Sequence, residues 1–395
     1  MHFTASNTIA ATVVLFASAA SSLNIIVNND DGFASANIRE FYRLLNAAGH
    51  NAWIVAPISI PSTANLTTAG DYDIIPEGAP SFGTDPTDDH IWYFDGTPAA
   101  CTFFALDYVV PNYWNGKKPD LVVGGPNFGD NAGPVLYTLS GTIGGTYSAV
   151  SRGYPGIAFS AGNTGQRSYK QLNKSTASGY PDPATIAANL STNLVNQIAK
   201  AAIGKQLLPD GYGLSVNYPV ISSLTDTSCI SPPFYDSRIT GGASVNTLIY
   251  SASSGTFSMG STTPAADTGT NSLINGNTSL TGENAIVSSG CQSSVSVFTI
   301  DYDAPDPGAE AVFSLLLPLV GQGTPKGASD ESSSSKVSFA TSTPTSSSGA
   351  AARSTKKASA ASAVRGSRTR TDEPIRSVVI AVVLTSLLLV LSSSS

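Results

Sequence analysis

The chain has 395 residues, 12% of them charged, and a formal net charge of −7. That length can hold a large core in one or two domains. The chain is acidic and its one concentration of Lys and Arg lies at 353–376, outside the aliphatic-rich part, which argues against phosphate-driven binding to a nucleic acid polymer.

Residues 1–22 predict a secretory signal peptide: a polar start, an apolar run over 9–20, then small residues suited to cleavage. The apolar run is too short to span a membrane. Leu23-Asn24-Ile25-Ile26-Val27 then reads as a buried strand that stops in Asn28-Asn29-Asp30-Asp31-Gly32. In an open α/β sheet, ligands bind just beyond the carboxyl ends of strands. Two adjacent carboxylates there repel unless a cation or proton joins them. A metal site is one reading of the pair; an Asx-rich turn capping the next helix is the other.

Ile38, Phe41, Leu44 and Leu45 carry a helical period over 34–48, and Gly49 suits the helix end. A strand over 51–57 completes a right-handed βαβ unit. Short strands follow within 71–95. Thr97 as cap and Pro98 at the first helical position open a helix to about Tyr108. Residues 119–125 are another buried strand, ending in the amide-rich turn 126–133. A helix follows Ser140-Gly141-Thr142, then a strand over 156–160, a helix over 183–202 and a strand over 214–219. Residues 222–292 are rich in Ser, Thr and Gly and read as irregular and β-rich. A late strand at 295–300 and an apolar segment at 313–320 close the domain, which is expected to run over 23–322.

Residues 323–371 have almost no aliphatic or aromatic residues, so they predict a disordered, Ser/Thr-rich stalk. Residues 372–395 are a polar spacer and a short apolar tail, the pattern of a GPI-attachment signal. An ordinary tail anchor or short span is the other reading. The four sequons at Asn65, Asn173, Asn189 and Asn277 suit glycosylation behind a signal peptide. In an oxidising compartment the three cysteines predict one disulfide, Cys229–Cys291, since both lie in polar, loop-like sequence. Cys101 lies in an apolar run and reads as a core thiol.

Several blocks recur here in one order. They are Asn29-Asp30-Asp31-Gly32, Ala56-Pro57, Gly96-Thr97-Pro98-Ala99 with Cys101, Asp120-Leu121-Val122-Val123 with Gly125, Asn127, Gly129 and Asn131, and Ser140-Gly141-Thr142. Together they resemble the SurE-like (survival protein E) family of divalent-metal-dependent phosphatases and nucleotidases, in the manner of a secreted, fungal-type acid phosphatase. The resemblance implies a Rossmann-like three-layer α/β/α fold with a mostly parallel sheet, here with a β-rich C-terminal extension. It implies metal ligands at Asp30, Asp31, Ser62 and Asn127. Ile58-Ser59-Ile60-Pro61, Ala100 and Phe128 depart from the family pattern.

Carboxylate, hydroxyl and amide oxygens suit a hard cation: Mg²⁺ or Mn²⁺ first, Ca²⁺ next. Such a cation neutralises phosphate oxygens and activates a water, with Asp30 and Asp31 as the catalytic carboxylates. Ser140, Gly141 and Thr142 at a helix N-terminus, with Asn131, are the candidate phosphate binders; a plain helix cap is the alternative for the first three. The expected reaction is hydrolysis of phosphomonoesters, acid-phosphatase-like. The alternatives are a 5′- or 3′-nucleotidase and a surface interaction protein that kept the fold and lost turnover. The expected partners are a small phosphomonoester or nucleotide, a membrane through a lipid anchor, and a second copy in a homodimer. The expected location is secreted, at the cell surface.

Overall fold

A computed structural model describes residues 22–58, 80–202, 206–243, 245–262 and 269–316. The expected signal peptide, Ser62, Asn65, and the expected stalk and anchor tail lie outside the described residues, apart from Ser22 at the edge of the first. Two units are distinguished, one reaching Asp303 and one starting at Ala304.

In the first unit, strand β1 (Asn24–Asn28) leads into helix α1 (Ala36–Ala47) and strand β2 (Asn51–Pro57). The apolar period of α1 buries Ile38, Phe41 and Leu45. Gly49 ends the turn after α1 with φ +93°, a conformation in which an L side chain is strained. Strands β3 (Phe82–Asp85) and β4 (Asp88–Phe94) form a hairpin. Thr97 caps α2 (Pro98–Phe104), accepting the Ala100 N–H through its hydroxyl. The helical path continues through a π-helical turn (Ala105–Val109) into α3 (Val110–Tyr113).

Strand β5 (Leu121–Phe128) comes next, then α4 (Pro134–Leu139), α5 (Gly141–Val150), β6 (Gly156–Ala161), α6 (Pro183–Ala201) and β7 (Tyr212–Asn217). The stretch 222–292 holds β8 (Phe234–Ser237), the antiparallel hairpin of β9 (Val245–Ser251) and β10 (Thr256–Thr262), and α7 (Glu283–Ser288). Strand β11 (Ser293–Thr299) follows.

The main sheet runs β3-β4-β2-β1-β5-β6-β7-β11-β8. From β4 to β7 every pairing is parallel, while β3 and β11 join antiparallel to β4 and β7. This is the mostly parallel α/β sheet expected from the sequence, with the extra strands at its C-terminal side.

Both faces of the sheet are covered. On one face Ile25, Val27, Ile54, Leu121 and Val123 pack with Phe41 and Leu45 of α1 and with Ala187 and Val195 of α6. On the other, Ile26, Trp53, Val55 and Val122 meet Val109, Trp114 and Ala149. Successive strand residues thus enter opposite cores, as the period of two requires. Each such side chain stabilises the fold by roughly 1.5–3 kcal/mol when fully buried.

The chain leaves β1 for β2 on one side and later returns to β5 on the other. The carboxyl ends of β1 and β5 therefore flank the point where strand order reverses, the place where open α/β sheets bind ligands.

In the second unit, residues Asp306–Leu315 form helix α8. The apolar segment read at 313–320 thus contributes, through Leu316, to the end of this helix and the turn after it, and 317–320 lie outside the described residues.

Candidate active site

The strand β1 ends in side chains that build a rigid turn. Asn28 is fully buried; its Nδ2 donates to the Pro98 carbonyl (2.7 Å) and to Thr102 Oγ1 (2.9 Å), tying β1 to α2. Its Oδ1 accepts the Asn29 N–H at 2.7 Å. Asn29 Nδ2 donates to the Gly32 carbonyl and to Ser35 Oγ, both at 3.1 Å. Asn29 Oδ1 is buried with no hydrogen-bond partner. Gly32, at φ +92°, turns the chain back.

That turn fixes two carboxylates side by side. Asp30 Oδ1 accepts the Thr142 hydroxyl (2.7 Å), and Oδ2 accepts the Thr142 N–H (3.2 Å). Asp31 is 2% exposed; Oδ2 accepts the Phe128 N–H (3.0 Å) and Oδ1 accepts Gln166 Nε2 (2.5 Å). Burial, and then the neighbouring Asp30, raise the Asp31 pKa well above the usual carboxylate range, against the two hydrogen bonds that lower it. Among the described residues neither carboxylate forms an ion pair with a Lys, Arg or His.

Asn127 sits at the end of β5, next to the residue that donates to Asp31. Its Nδ2 donates to the Gly129 carbonyl at 2.9 Å, and Oδ1 is the end that this bond leaves free of commitment. No cluster of three His, Cys, Asp or Glu side chains exists among the described residues. The donor set is therefore two carboxylates and neutral oxygens. A pair of like charges with one member buried and no cation is costly, and hard divalent ions prefer such oxygens. These residues fit a divalent cation.

The phosphate candidates are arranged around the same strand ends. Ser140 Oγ accepts the Ile143 N–H at 3.2 Å and caps α5. Gly141 starts α5 against Asp30: a β-carbon on it would lie 2.8 Å from Asp30 Cβ and 2.9 Å from Pro98 Cγ. Thr142, fully buried, holds Asp30 through both its hydroxyl and its N–H. Asn131 is anchored on the neighbouring strands: its N–H donates to Asn217 Oδ1 (2.7 Å) and its Nδ2 to Ser160 Oγ (2.8 Å). Asp30, Asp31, Asn127, Gly141 and Thr142 are thus linked by direct contacts or through an adjacent residue, and Asn131 stands over the ends of β6 and β7.

Elsewhere, Cys229 and Cys291 are joined in a disulfide, and Cys101 is a buried free thiol. Asn173, Asn189 and Asn277 are exposed. Asn173 Nδ2 donates to Asp182 at 2.8 Å.

Three participants carried no motif in the sequence reading: Gln166, Ser160 and Asn217. Ser160 and Asn217 each end an apolar strand in a polar residue, the same signal that marked Asp30 and Asp31. Gln166 lies in a loop without periodicity, where no such signal exists.

The profile of the Survival protein SurE family matches residues 25–232. This chain belongs to the SurE family. The matched residues run from β1 past β7 and include every residue placed at the strand ends above. An acid phosphatase of Yarrowia lipolytica (strain CLIB 122 / E 150) is 41% identical over 308 residues, 74% of this chain and 84% of that one. The 5′-nucleotidase SurE of Desulfovibrio desulfuricans is 30% identical over 201 residues, 50% of this chain and 66% of its own length. The crystal structure of a SurE protein from Aquifex aeolicus aligns with a TM-score of 0.48 at 20% identity, covering 74% of this chain and 98% of that one.

Proposed function

We propose that this SurE-family chain is a phosphomonoesterase that works with a divalent cation, Mg²⁺ or Mn²⁺ by donor type, and acts outside the cell. The observation that carries the reading is the Asp30–Asp31 pair. It lies where strand order reverses, one carboxylate is buried, and no cationic side chain pairs with either among the described residues. Asp30, Asp31 and Asn127, with Ser62, are the residues that would hold the cation. When bound, it supplies charge neutralisation at the phosphate oxygens and a lowered pKa for water.

The chain's own groups supply the rest. The N-terminus of α5 offers the positive end of the helix dipole to an anion, while its Thr142 and Ile143 N–H groups are held by Asp30 and Ser140. Gly141 lets the ester's phosphate approach that backbone closely, and Asn131, whose Nδ2 already donates to Ser160, would offer its second amide hydrogen. A carboxylate oxygen of Asp30 or Asp31 takes the proton of the attacking water. Thr142 joins the two halves of the site, because this residue of the first turn of α5 also orients Asp30.

The relative named acid phosphatase, at 41% identity, favours simple phosphomonoesters; the relative named 5′-nucleotidase, at 30%, favours nucleotides. Turnover of p-nitrophenyl phosphate over pH 4–8 with Mg²⁺ or Mn²⁺, beside the Asp30→Asn variant, tests the reaction. Equal, metal-insensitive background in both proteins would refute it and leave a surface interaction protein. A panel of nucleotides and simple esters decides between the two substrate classes. The signal peptide, stalk and apolar tail support a GPI-anchored location. Release of the protein from cells by a phosphatidylinositol-specific phospholipase is the expected result; retention would refute the anchor.

A further inference from the structure

The loop that follows β5 is held at alternate residues by three different parts of the chain. The Gly129 N–H donates to the Asn163 carbonyl (2.9 Å), and the Asn131 N–H to Asn217 Oδ1 (2.7 Å). The Gly133 N–H donates to Glu283 Oε2 (2.9 Å). The first two partners lie at the ends of β6 and β7, inside the segment matched to the family. Glu283 does not: it starts α7, beyond residue 232.

Glu283 is fully buried, and its Oε1 has no hydrogen-bond partner. Ser215 of β7 and Ser296 of β11 lie close to the carboxyl, and Asp130 adds a repulsive charge. Desolvation of this carboxyl is costly, and the Gly133 N–H with the Ser215 and Ser296 hydroxyls offsets part of it, which ties the loop to β7 and β11 through one side chain. Asn284, the next residue, places its Oδ1 where a β-carbon of Gly133 would lie, so α7 presses on the loop at two points. Gly129 and Gly133 take φ of +98° and +83°, so the loop's path turns at both ends and depends on these outside contacts.

We propose that Glu283 is a positioning residue for phosphate binding: its grip on the Gly133 N–H sets the loop so that Asn131 faces the phosphate. This rests on the phosphomonoesterase reading, in which Asn131 meets the phosphate. The C-terminal extension thereby completes a site whose other residues all belong to the family-matched segment.

The test uses the full chain and the variants Glu283→Ala, Glu283→Asp and Glu283→Gln. Three quantities are read: hydrogen exchange of peptides covering 127–134, KM and kcat for p-nitrophenyl phosphate, and calorimetric binding of inorganic phosphate. Glu283→Ala is expected to speed exchange in that segment by up to about tenfold, the scale of one intramolecular hydrogen bond. It is expected to weaken phosphate binding and raise KM by a similar factor, with kcat changed less. Glu283→Gln, which still presents a carbonyl oxygen to Gly133, is expected to restore all three to within a few-fold. Glu283→Asp, one methylene shorter, is expected to behave like Glu283→Ala and carries the test if the alanine variant does not fold. Faster exchange with unchanged KM and phosphate binding would reduce Glu283 to a structural role, and unchanged exchange would overturn the proposal outright. Absence of turnover in the unaltered chain would refute the phosphomonoesterase reading, while exchange and phosphate binding would still judge Glu283.

Discussion

Gly141→Ala places one methyl against the carboxylate pair. The new β-carbon would lie 2.8 Å from Asp30 Cβ, 2.9 Å from Pro98 Cγ and 3.0 Å from Asp30 Oδ2. Carbon atoms in good contact sit about 3.5–4.0 Å apart, so several tenths of an ångström must be found on each side. Pro98 is locked in the first turn of α2, and Asp30 is the neighbour that moves. Overpacking of this kind costs about 1–3 kcal/mol. Gly141 is not left-handed, so alanine also recovers up to about 1 kcal/mol of helix propensity. The net loss of stability is therefore small, about 0–2 kcal/mol. Activity responds more steeply, because misplacing a reacting group by about 1 Å costs roughly 10²-fold. We expect kcat/KM to fall about 10- to 100-fold and the Mn²⁺ concentration for half-activation to rise, while urea unfolding shifts little. Metal-dependent p-nitrophenyl phosphate hydrolysis and urea denaturation read the two effects. A variant with unchanged kcat/KM and metal activation would mean that Asp30 need not stay where α5 holds it.

Asp31→Asn removes one of two like charges at a buried position, so it should abolish turnover. It should also stabilise the chelator-treated protein, read as a rise in melting temperature; a fall would contradict the electrostatic account of the pair. The pKa of Glu283 is raised by burial from 4.5 to about 7, so folding favours its protonated form. Its contribution to stability is full below pH 4.5 and declines as pH climbs to about 7, by about 3 kcal/mol in all. Urea unfolding from pH 4 to pH 8 should show a shallower decline in Glu283→Gln than in the unaltered chain; equal slopes would refute this. The Cys229–Cys291 disulfide closes a 62-residue separation, so its reduction should cost about 4 kcal/mol, and a loss below about 1 kcal/mol would show that the loop is constrained by other contacts.

Strand ends were legible in the sequence because their signal is local. An apolar run stopped by Asp30 and Asp31, or by Asn127, needs no knowledge of distant residues. The order of strands and helices followed from periodicity, and the caps at Thr97 and Ser140 from residue type. Helix α4 was hidden because Pro134 follows an amide-rich turn and reads as its continuation, although proline suits a first helical position. Gln166 reaches Asp31 across 135 residues of sequence, and that contact exists only once β1 and β6 lie in one sheet. Glu283 stayed invisible for a similar reason, set in a Ser/Thr/Gly-rich stretch whose weak alternation says little about what it packs on. Thr142 was read as a phosphate ligand from its place at a helix start, and its bond to Asp30 appears only in three dimensions.

Among the described residues the edge strand β8 pairs with β11 alone, in parallel, with Phe234 opposite Ser293. During vectorial synthesis β8 leaves the ribosome before β11 has been made. Cys229 and Cys291 stand just upstream of the two strands, one before each. A bond between that pair holds the starts of β8 and β11 near each other, and the two strands run in the same direction from it. A chain cut after residue 232 would lack both strands and leave β7 with an unpaired edge, a template for pairing with another chain.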